Sequence, residues 1–153
     1  MRMFFKITLL FIAIGLSFFK SAAATSISQL TFEDDNLAQC VLSNAKKNNW
    51  QMANQVSKLK CHGLKIKSLN GIKFLSNLVH LSLFNNNIAH ADLTSLVKLK
   101  SINIANNKLN TIKLSNLKNL TTLYLFKNKL KTVNFSGLIK LKKIRITNNL
   151  LEQ

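Results

Sequence analysis

The chain has 153 residues, which is long enough for one domain with a sizeable core. Its 22 Lys and Arg far outnumber its five Asp and Glu, so the formal net charge at pH 7 is +17 and favours polyanions or acidic proteins as partners. The sequence has no glycine-rich phosphate loop, no metal-ligand spacing and no nucleophile–base arrangement, which argues against an enzyme and predicts neither a cofactor nor a metal site.

Residues 1–24 have the three parts of a secretory signal peptide. Arg2 and Lys6 give a positive start, residues 7–19 form an apolar run, and residues 22–24 are alanines that offer a cleavage site. The run is too short for a membrane-spanning helix, which needs roughly 20 apolar residues. We therefore predict a signal peptide, a secreted or periplasmic protein, and no stable membrane insertion after cleavage.

Residues 25–55 form a predicted N-terminal cap that contains one helix. Three residues can cap the start of this helix: Asp34, Asp35 or Asn36. The residues that follow make an apolar stripe at helical spacing: Leu37, Cys40, Val41 and Ala45. We expect the stripe to cover one end of the repeats that follow, with Trp50 packed there as part of the core.

Residues 56–153 contain a phrase that returns at a fixed step. LVHLSLFNNNI at 78–88 has three later copies and one weaker earlier copy: LKSINIANNKL at 99–109, LTTLYLFKNKL at 120–130, LKKIRITNNLL at 141–151 and VSKLKCHGLKI at 56–66. The pattern L-x-x-L-x-L-x-x-N-x-L is that of leucine-rich repeats. It predicts an α/β solenoid of five 21–22-residue repeats, with a parallel β-sheet on the concave face and the helical cap at its N-terminal end.

Each part of the phrase has a predicted place in this solenoid. The fourth and sixth positions point into the core, because side chains of a strand alternate: Leu59/Cys61, Leu81/Leu83, Ile102/Ile104, Leu123/Leu125 and Ile144/Ile146. Asparagines at the ninth position should bond the backbone of adjacent turns, the alternative being a solvated loop: Asn86, Asn107, Asn128 and Asn149. Apolar residues between the phrases should cover the back of the sheet in short extended or single-turn segments: Ile72, Leu75, Leu93, Leu96, Leu114, Leu117, Phe135 and Leu138.

The two cysteines both lie at predicted inward positions, Cys40 on the helix stripe and Cys61 on the first strand. In a secreted protein this arrangement predicts a disulfide, the alternative being two buried free thiols. The chain resembles bacterial secreted leucine-rich repeat proteins, whose cap carries a D-x-N-L/F-x-x-C helix, a Trp and a second Cys; here these are residues 34–40, Trp50 and Cys61. Internalins are more distant relatives by their repeat. The resemblance implies a non-enzymatic recognition scaffold.

The exposed strand positions predict a partner-binding surface on the concave face. Phe84 and Phe126 occupy the same position two repeats apart, with Ala105 between them, so their backbones should stand roughly 10 Å apart. Exposed aromatic residues are favoured binding anchors, although the rings can instead pack on the asparagine turns. The predicted partner-binding residues are Phe84, Tyr124, Phe126, His80, Asn103, Lys58, Lys60 and Arg145.

The sequence favours a protein-binding module with a host or envelope protein as partner, acidic in keeping with the basic surface. The alternative is a polyanion such as lipopolysaccharide, glycosaminoglycan or nucleic acid, whose binding would weaken steeply with salt. We expect a monomer. Because no C-terminal cap follows the fifth phrase, pairing of the last strand with a second copy is the alternative, and Lys142, Lys143 and Arg145 would oppose it by charge repulsion.

Overall fold

The computed structural model describes residues 25–152, so the predicted signal peptide lies outside the described residues. Across this range the chain forms one α-helix, three short 3-10 turns and seven three-residue strands. The helix and strands are α1 (Asp35–Asn48), β1 (Lys58–Lys60), β2 (His80–Ser82), β3 (His90–Asp92), β4 (Ser101–Asn103), β5 (Thr111–Lys113), β6 (Thr122–Tyr124) and β7 (Lys143–Arg145). No helix between residues 25 and 152 is long and apolar enough to cross a membrane.

Five of the strands form one parallel sheet in the order β1-β2-β4-β6-β7. Each pairing joins residues one repeat apart, and the central residues of the five strands lie in register: Leu59, Leu81, Ile102, Leu123 and Ile144. The structure thus has the solenoid architecture that the 21-residue period predicts, with every turn of the chain contributing one strand.

A second sheet, which the sequence did not predict, is formed by the segments that follow β2 and β4 in the chain. The parallel pair β3 and β5 joins His90 to Thr111 and Asp92 to Lys113. The inter-phrase segments were expected to be short and extended or single-turn, and two of them are extended enough to pair. Three-residue strands with one apolar residue each carry too little alternation to be recognised from sequence.

Burial of the repeated apolar positions depends on whether another turn lies against them. Leu81, Ile102 and Leu123 are buried, as predicted. Three predicted core residues in the last turn are less buried: Ile144 is 42% exposed, Phe135 is 38% exposed, and Ile146 is partly buried. Their equivalents are buried because a further turn covers them, whereas no described residue stacks beyond β7.

The helix α1 covers the other end of the solenoid. Asp34 caps it, since its Oδ1 accepts a hydrogen bond from the Leu37 N–H at 3.1 Å. The second carboxylate oxygen of Asp34 accepts from the N–H groups of Lys67 and Ser68 at 2.7 and 3.3 Å, which ties the cap to the first repeat. Partial burial opposes ionisation of Asp34, but these backbone donors outweigh it and lower the pKa of the carboxyl below 3.8. The predicted apolar stripe is buried, and Trp50 packs partly buried against the core.

The cap is also held covalently and by a close backbone approach. Cys40 and Cys61 form a disulfide with their Cα atoms 5.9 Å apart, which confirms the predicted bond. With a sequence separation of 21 residues, such a bond is worth about 3 kcal/mol. Gly71 has φ of +100°, and a Cβ built there would lie 2.5 Å from the Thr31 carbonyl oxygen, so only glycine fits beneath the cap segment.

The inward asparagines bond the backbone of adjacent turns. Asn86 Oδ1 accepts from the N–H groups of Leu64 and Ile66, while its Nδ2 donates to the carbonyls of Cys61 and Leu83. Equivalent bonds to the preceding turn and to their own turn are made by Asn107, Asn128 and Asn149. These bonds satisfy backbone polar groups that would otherwise be buried without a partner, and they link adjacent turns.

The eighth residue of each phrase, directly before the ladder position, has a left-handed backbone. Its φ lies between +56° and +67° in all five turns: Gly63, Asn85, Asn106, Lys127 and Asn148. Asparagine and glycine tolerate this conformation better than other residues. The second asparagine of the repeated pair is therefore a ladder residue, and the first suits the left-handed backbone, which Lys127 also adopts.

Candidate partner-binding face

The concave face consists of columns of side chains that are one repeat apart and lie side by side. Register in the five-stranded sheet places the residues of each column about 4.8 Å apart along the solenoid. The third and fifth positions of the phrase form two such columns: Lys58, His80, Ser101, Thr122 and Lys143, and Lys60, Ser82, Asn103, Tyr124 and Arg145. Lysine and arginine occur only on the first and last strands of these columns, and the three strands between carry neither.

A shallow depression of about 310 Å³ lies over the first three strands and reaches the fourth. It contains five of the eight predicted partner-binding residues: Lys58, Lys60, His80, Asn103 and Tyr124. Leu59, Leu81, Ser82 and Ser101 complete its lining. The structure brings these five predicted residues together in one surface, while Phe84, Phe126 and Arg145 lie outside the depression.

The seventh position of the phrase forms a further column, in which Phe84 and Phe126 lie on either side of Ala105. The main chain continues its ladder here, since the Asn85 N–H donates to the Ala105 carbonyl and the Asn106 N–H to the Phe126 carbonyl. Ala105 has no exposed surface, although each phenylalanine is half-buried. Each ring is therefore partly packed and also presents surface to solvent. Local packing and an exposed aromatic surface coexist at these two residues.

Two rings of the face are each covered by a cation from β7. The guanidinium of Arg145 lies 5.2 Å from the centre of the Phe126 ring, and the ammonium of Lys143 lies 5.6 Å from the centre of the Tyr124 ring. Contacts of this kind hold the cation beside the ring and are worth about 0.5–1 kcal/mol at exposed sites. Lys143 was not among the predicted site residues. The period could have indicated it, because Lys143 and Arg145 follow Thr122 and Tyr124 by one repeat.

His62 occupies the same repeat position as Phe84, one turn earlier in the chain. The sequence did not single it out as a binding residue. Its ring meets Phe84 edge-on, with centroids 5.9 Å apart, and its Nε2 is 2.7 Å from Ser82 Oγ. Partial burial, with the charge of Lys60 as a second cause, lowers the pKa of His62 below 6.5. The lowered pKa favours the neutral ring, so His62 adds an aromatic surface to the face.

One histidine and one acidic residue, His90 and Asp92, lie away from this face on the second sheet. His90 Nδ1 is 2.9 Å from Thr111 Oγ1, and Asp92 pairs with Lys113 at 3.4 Å. Hydrogen bonds from Thr94, with a smaller effect of Lys113, lower the pKa of Asp92. In residues 25–152, no group of three His, Cys, Asp or Glu residues could hold a metal ion.

A parallel solenoid with a disulfide-linked helical cap defines the class of protein as a leucine-rich repeat protein. Residues 32–149 match the family described as the leucine-rich repeat domain of endo-beta-N-acetylglucosaminidase EndoS, and the chain belongs to this family. No curated protein matches the chain.

Solved structures of Listeria monocytogenes proteins have the same architecture. The functional domain of InlJ, described as including a cysteine ladder, has 28% identity and a TM-score of 0.73 over 82% of this chain and 29% of that one. The internalin InlF has 24% identity and a TM-score of 0.63 over 88% of this chain and 48% of that one. The internalin InlC2 has 24% identity and a TM-score of 0.52 over 82% and 69%. The chain spans less than half of the first two structures.

Proposed function

We propose that the protein is a secreted or periplasmic, monomeric binding module that recognises a protein partner through its concave face. The central surface is the aromatic–basic patch, defined as Phe84, Tyr124, Phe126, Lys143 and Arg145. The observation that carries the proposal is that two partly exposed rings of this patch are each held against a cation. The leucine-rich repeat fold and its relation to internalins support a role in recognition.

The patch is suited to a protein surface that combines apolar and acidic side chains. Aromatic residues and arginine contribute most of the binding free energy at many protein interfaces. Arg145 and Lys143 already contact the rings, so a partner carboxylate can pair with the cation while an adjacent apolar side chain contacts the ring edge. Less side-chain freedom is lost on binding because these contacts exist beforehand.

The test compares two aromatic sites of the same chain in capture from envelope and host extracts, followed by affinity measurement with the captured protein. Phe84→Ala combined with Phe126→Ala should weaken binding about tenfold or more. Phe74 provides the matched control, because it is 42% exposed and has Lys73 5.6 Å from its ring centre, but lies in a 3-10 turn outside the concave face. Phe74→Ala should change the affinity less than about twofold.

Both rings are half-buried, so the double variant must be checked for its thermal unfolding midpoint. Arg145→Glu provides a second variant, since Arg145 is exposed and its replacement leaves the rings in place. It should also weaken capture about tenfold. Equal affinity of the wild type, the double variant and Arg145→Glu for the captured protein would contradict the proposal.

Binding of a polyanion is the second candidate, and the lysines on the edge formed by the asparagine turns favour it. Six exposed lysines lie there at repeat-related positions: Lys65, Lys67, Lys108, Lys127, Lys129 and Lys131. Affinity for a polyanion should fall steeply between 50 and 200 mM salt, by roughly a thousandfold for six neutralised charges. Binding through the aromatic–basic patch should lose much less affinity over the same range.

A further inference from the structure

A second candidate surface lies where the cap meets the first strand. We define the cap groove by its lining: Asn44, Lys47, Asn48, Trp50, Ser57, Lys58 and Lys60. Its volume is about 440 Å³, larger than that of the depression on the concave face. One wall is the C-terminal half of α1, and the other is β1, the first strand of the five-stranded sheet.

The strand β1 presents main-chain hydrogen-bonding groups to this groove. On its inner side, the Ser57 carbonyl accepts from the Val79 and His80 N–H groups, and the Cys61 N–H donates to the Ser82 carbonyl. Alternate residues of a strand bond to opposite sides, so the main chains of Lys58 and Lys60 face away from β2.

Only part of this outer edge is covered by the cap. Asn44 Nδ2 donates to the Lys60 carbonyl at 3.4 Å, which satisfies one end. Within residues 25–152, no main-chain or side-chain group bonds the Lys58 N–H, the Lys58 carbonyl or the Lys60 N–H on that side. The open groups are therefore two donors and one acceptor, the set that one added strand would pair.

The charge of the groove indicates the kind of strand that fits. Lys47, Lys58 and Lys60 line it, Trp50 adds an aromatic wall, and no acidic residue takes part in the lining. An extended segment with glutamate or aspartate at alternate positions would place its carboxylates beside the lysines. The intervening side chains would face the opposite side of the segment.

We propose that the cap groove binds an extended, acidic segment of a protein partner, which adds to the sheet as a strand beside β1. Main-chain bonds to Lys58 and Lys60 supply the pairing, as in other proteins that bind peptides by strand addition. The lysines select for acidic side chains, and Trp50 contacts the segment. This surface is separate from the aromatic–basic patch, so the two can be tested independently.

The test uses a fluorescein-labelled ten-residue peptide of alternating glutamate and threonine, and its binding to the purified protein is followed by fluorescence anisotropy. A second peptide carries N-methyl groups on alternate residues, so its donors on one edge are removed while its charge stays the same. The unmethylated peptide should bind saturably, and the methylated one about tenfold more weakly. Absence of binding by the unmethylated peptide, or equal binding of both, would overturn the proposal.

Matched variants of Lys58 separate charge from main-chain pairing. Lys58→Thr removes the charge and keeps the N–H, whereas Lys58→Pro removes both and leaves the bonds to β2 in place. Lys58→Pro should bind about tenfold more weakly than Lys58→Thr. Equal affinities of these two variants, with both folded, would contradict strand addition.

Two further variants locate the site without touching β1. Lys47 lies on the exposed last turn of α1. Lys47→Glu should lower the affinity for the unmethylated peptide about fivefold or more through charge repulsion. Phe84→Ala combined with Phe126→Ala should leave peptide binding unchanged. Loss of peptide binding in that double variant would place the peptide on the concave face, overturning the cap groove while leaving the proposed function standing.

Discussion

The two ends of the solenoid have the same repeated phrase in different surroundings. At the N-terminal end, Leu59 and Cys61 are each only 1% exposed, because α1 lies against them and the disulfide fixes it there. In the last described turn, Ile144 occupies the same position as Leu59 and is 42% exposed. An apolar residue at a given repeat position is therefore stabilising only to the extent that a neighbouring element covers it.

The largest effect expected from this difference concerns two isoleucines at the same repeat position. Ile102 has no exposed surface, so Ile102→Ala should lower the free energy of unfolding by about 3–4 kcal/mol. Ile144→Ala should cost only about 1 kcal/mol, because much of that side chain is already in water. Urea denaturation of both variants provides the measurement. Equal losses would show that the last turn is covered in solution.

Two glycines with positive φ give the next comparison, one under the cap and one in the last turn. Gly71→Ala should cost about 2–3 kcal/mol, because the added Cβ meets the Thr31 carbonyl and Phe32 in addition to the backbone strain. Gly137 has φ of +80° with nothing within 4 Å of a built Cβ, so Gly137→Ala should cost about 1 kcal/mol. Thermal unfolding of both variants measures the difference. A larger loss for Gly137→Ala would mean that the cap segment does not press on Gly71.

The asparagines offer a third comparison of an inner and a terminal position. Asn86 is buried and makes four hydrogen bonds of 3.1 Å or less to backbone groups, so Asn86→Ala should lower the free energy of unfolding by about 2 kcal/mol. Asn149 is only half-buried, and Asn149→Ala should cost about 1 kcal/mol since water can satisfy the groups left open. Denaturant unfolding measures both. A smaller loss for Asn86→Ala would contradict an inner, water-excluded ladder.

The smallest effect expected is a dependence of stability on pH that arises at the N-terminal end. The lowered pKa of His62 means that the unfolded chain binds a proton more readily, so stability should fall as the pH drops below 6.5. Because the pKa of Asp34 is lowered, its ionised carboxylate stabilises the fold above pH 3.8. This contribution should be lost as the pH falls below 3.8. Urea midpoints between pH 7 and 3 should show both steps. His62→Gln should remove the first and Asp34→Asn should reduce the second, to which the lowered pKa of Asp92 also contributes; unchanged profiles would refute these assignments.

The fold could be predicted from the sequence because each turn repeats the same requirements. The fixed step of the phrase determines strand register, and inward positions predict both the sheet and the Cys40–Cys61 bond. The pairing of β3 with β5 was not predicted, because three residues with one apolar side chain carry no clear period. Its apolar repeat position predicts Phe135 in the core, but period alone does not show that no described residue covers its outer side.

The candidate site could be predicted only in part. Sequence columns identified Phe84, Tyr124 and Phe126, because the register of a parallel sheet follows directly from the repeat. The covering of two rings by Lys143 and Arg145 depends on side-chain conformations, which spacing does not determine. The cap groove was missed because its walls come from a helix and a strand whose relative placement depends on tertiary packing around Trp50.

Photo-crosslinking from a single position tests the central claim, recognition of a protein through the concave face, most directly. A photo-reactive phenylalanine analogue would replace Tyr124 within the aromatic–basic patch or, as the control, Lys118, which is exposed on a segment between β5 and β6. Irradiation with the captured partner should give a crosslinked product from position 124 and none from position 118. Crosslinking from position 118 alone would contradict the account.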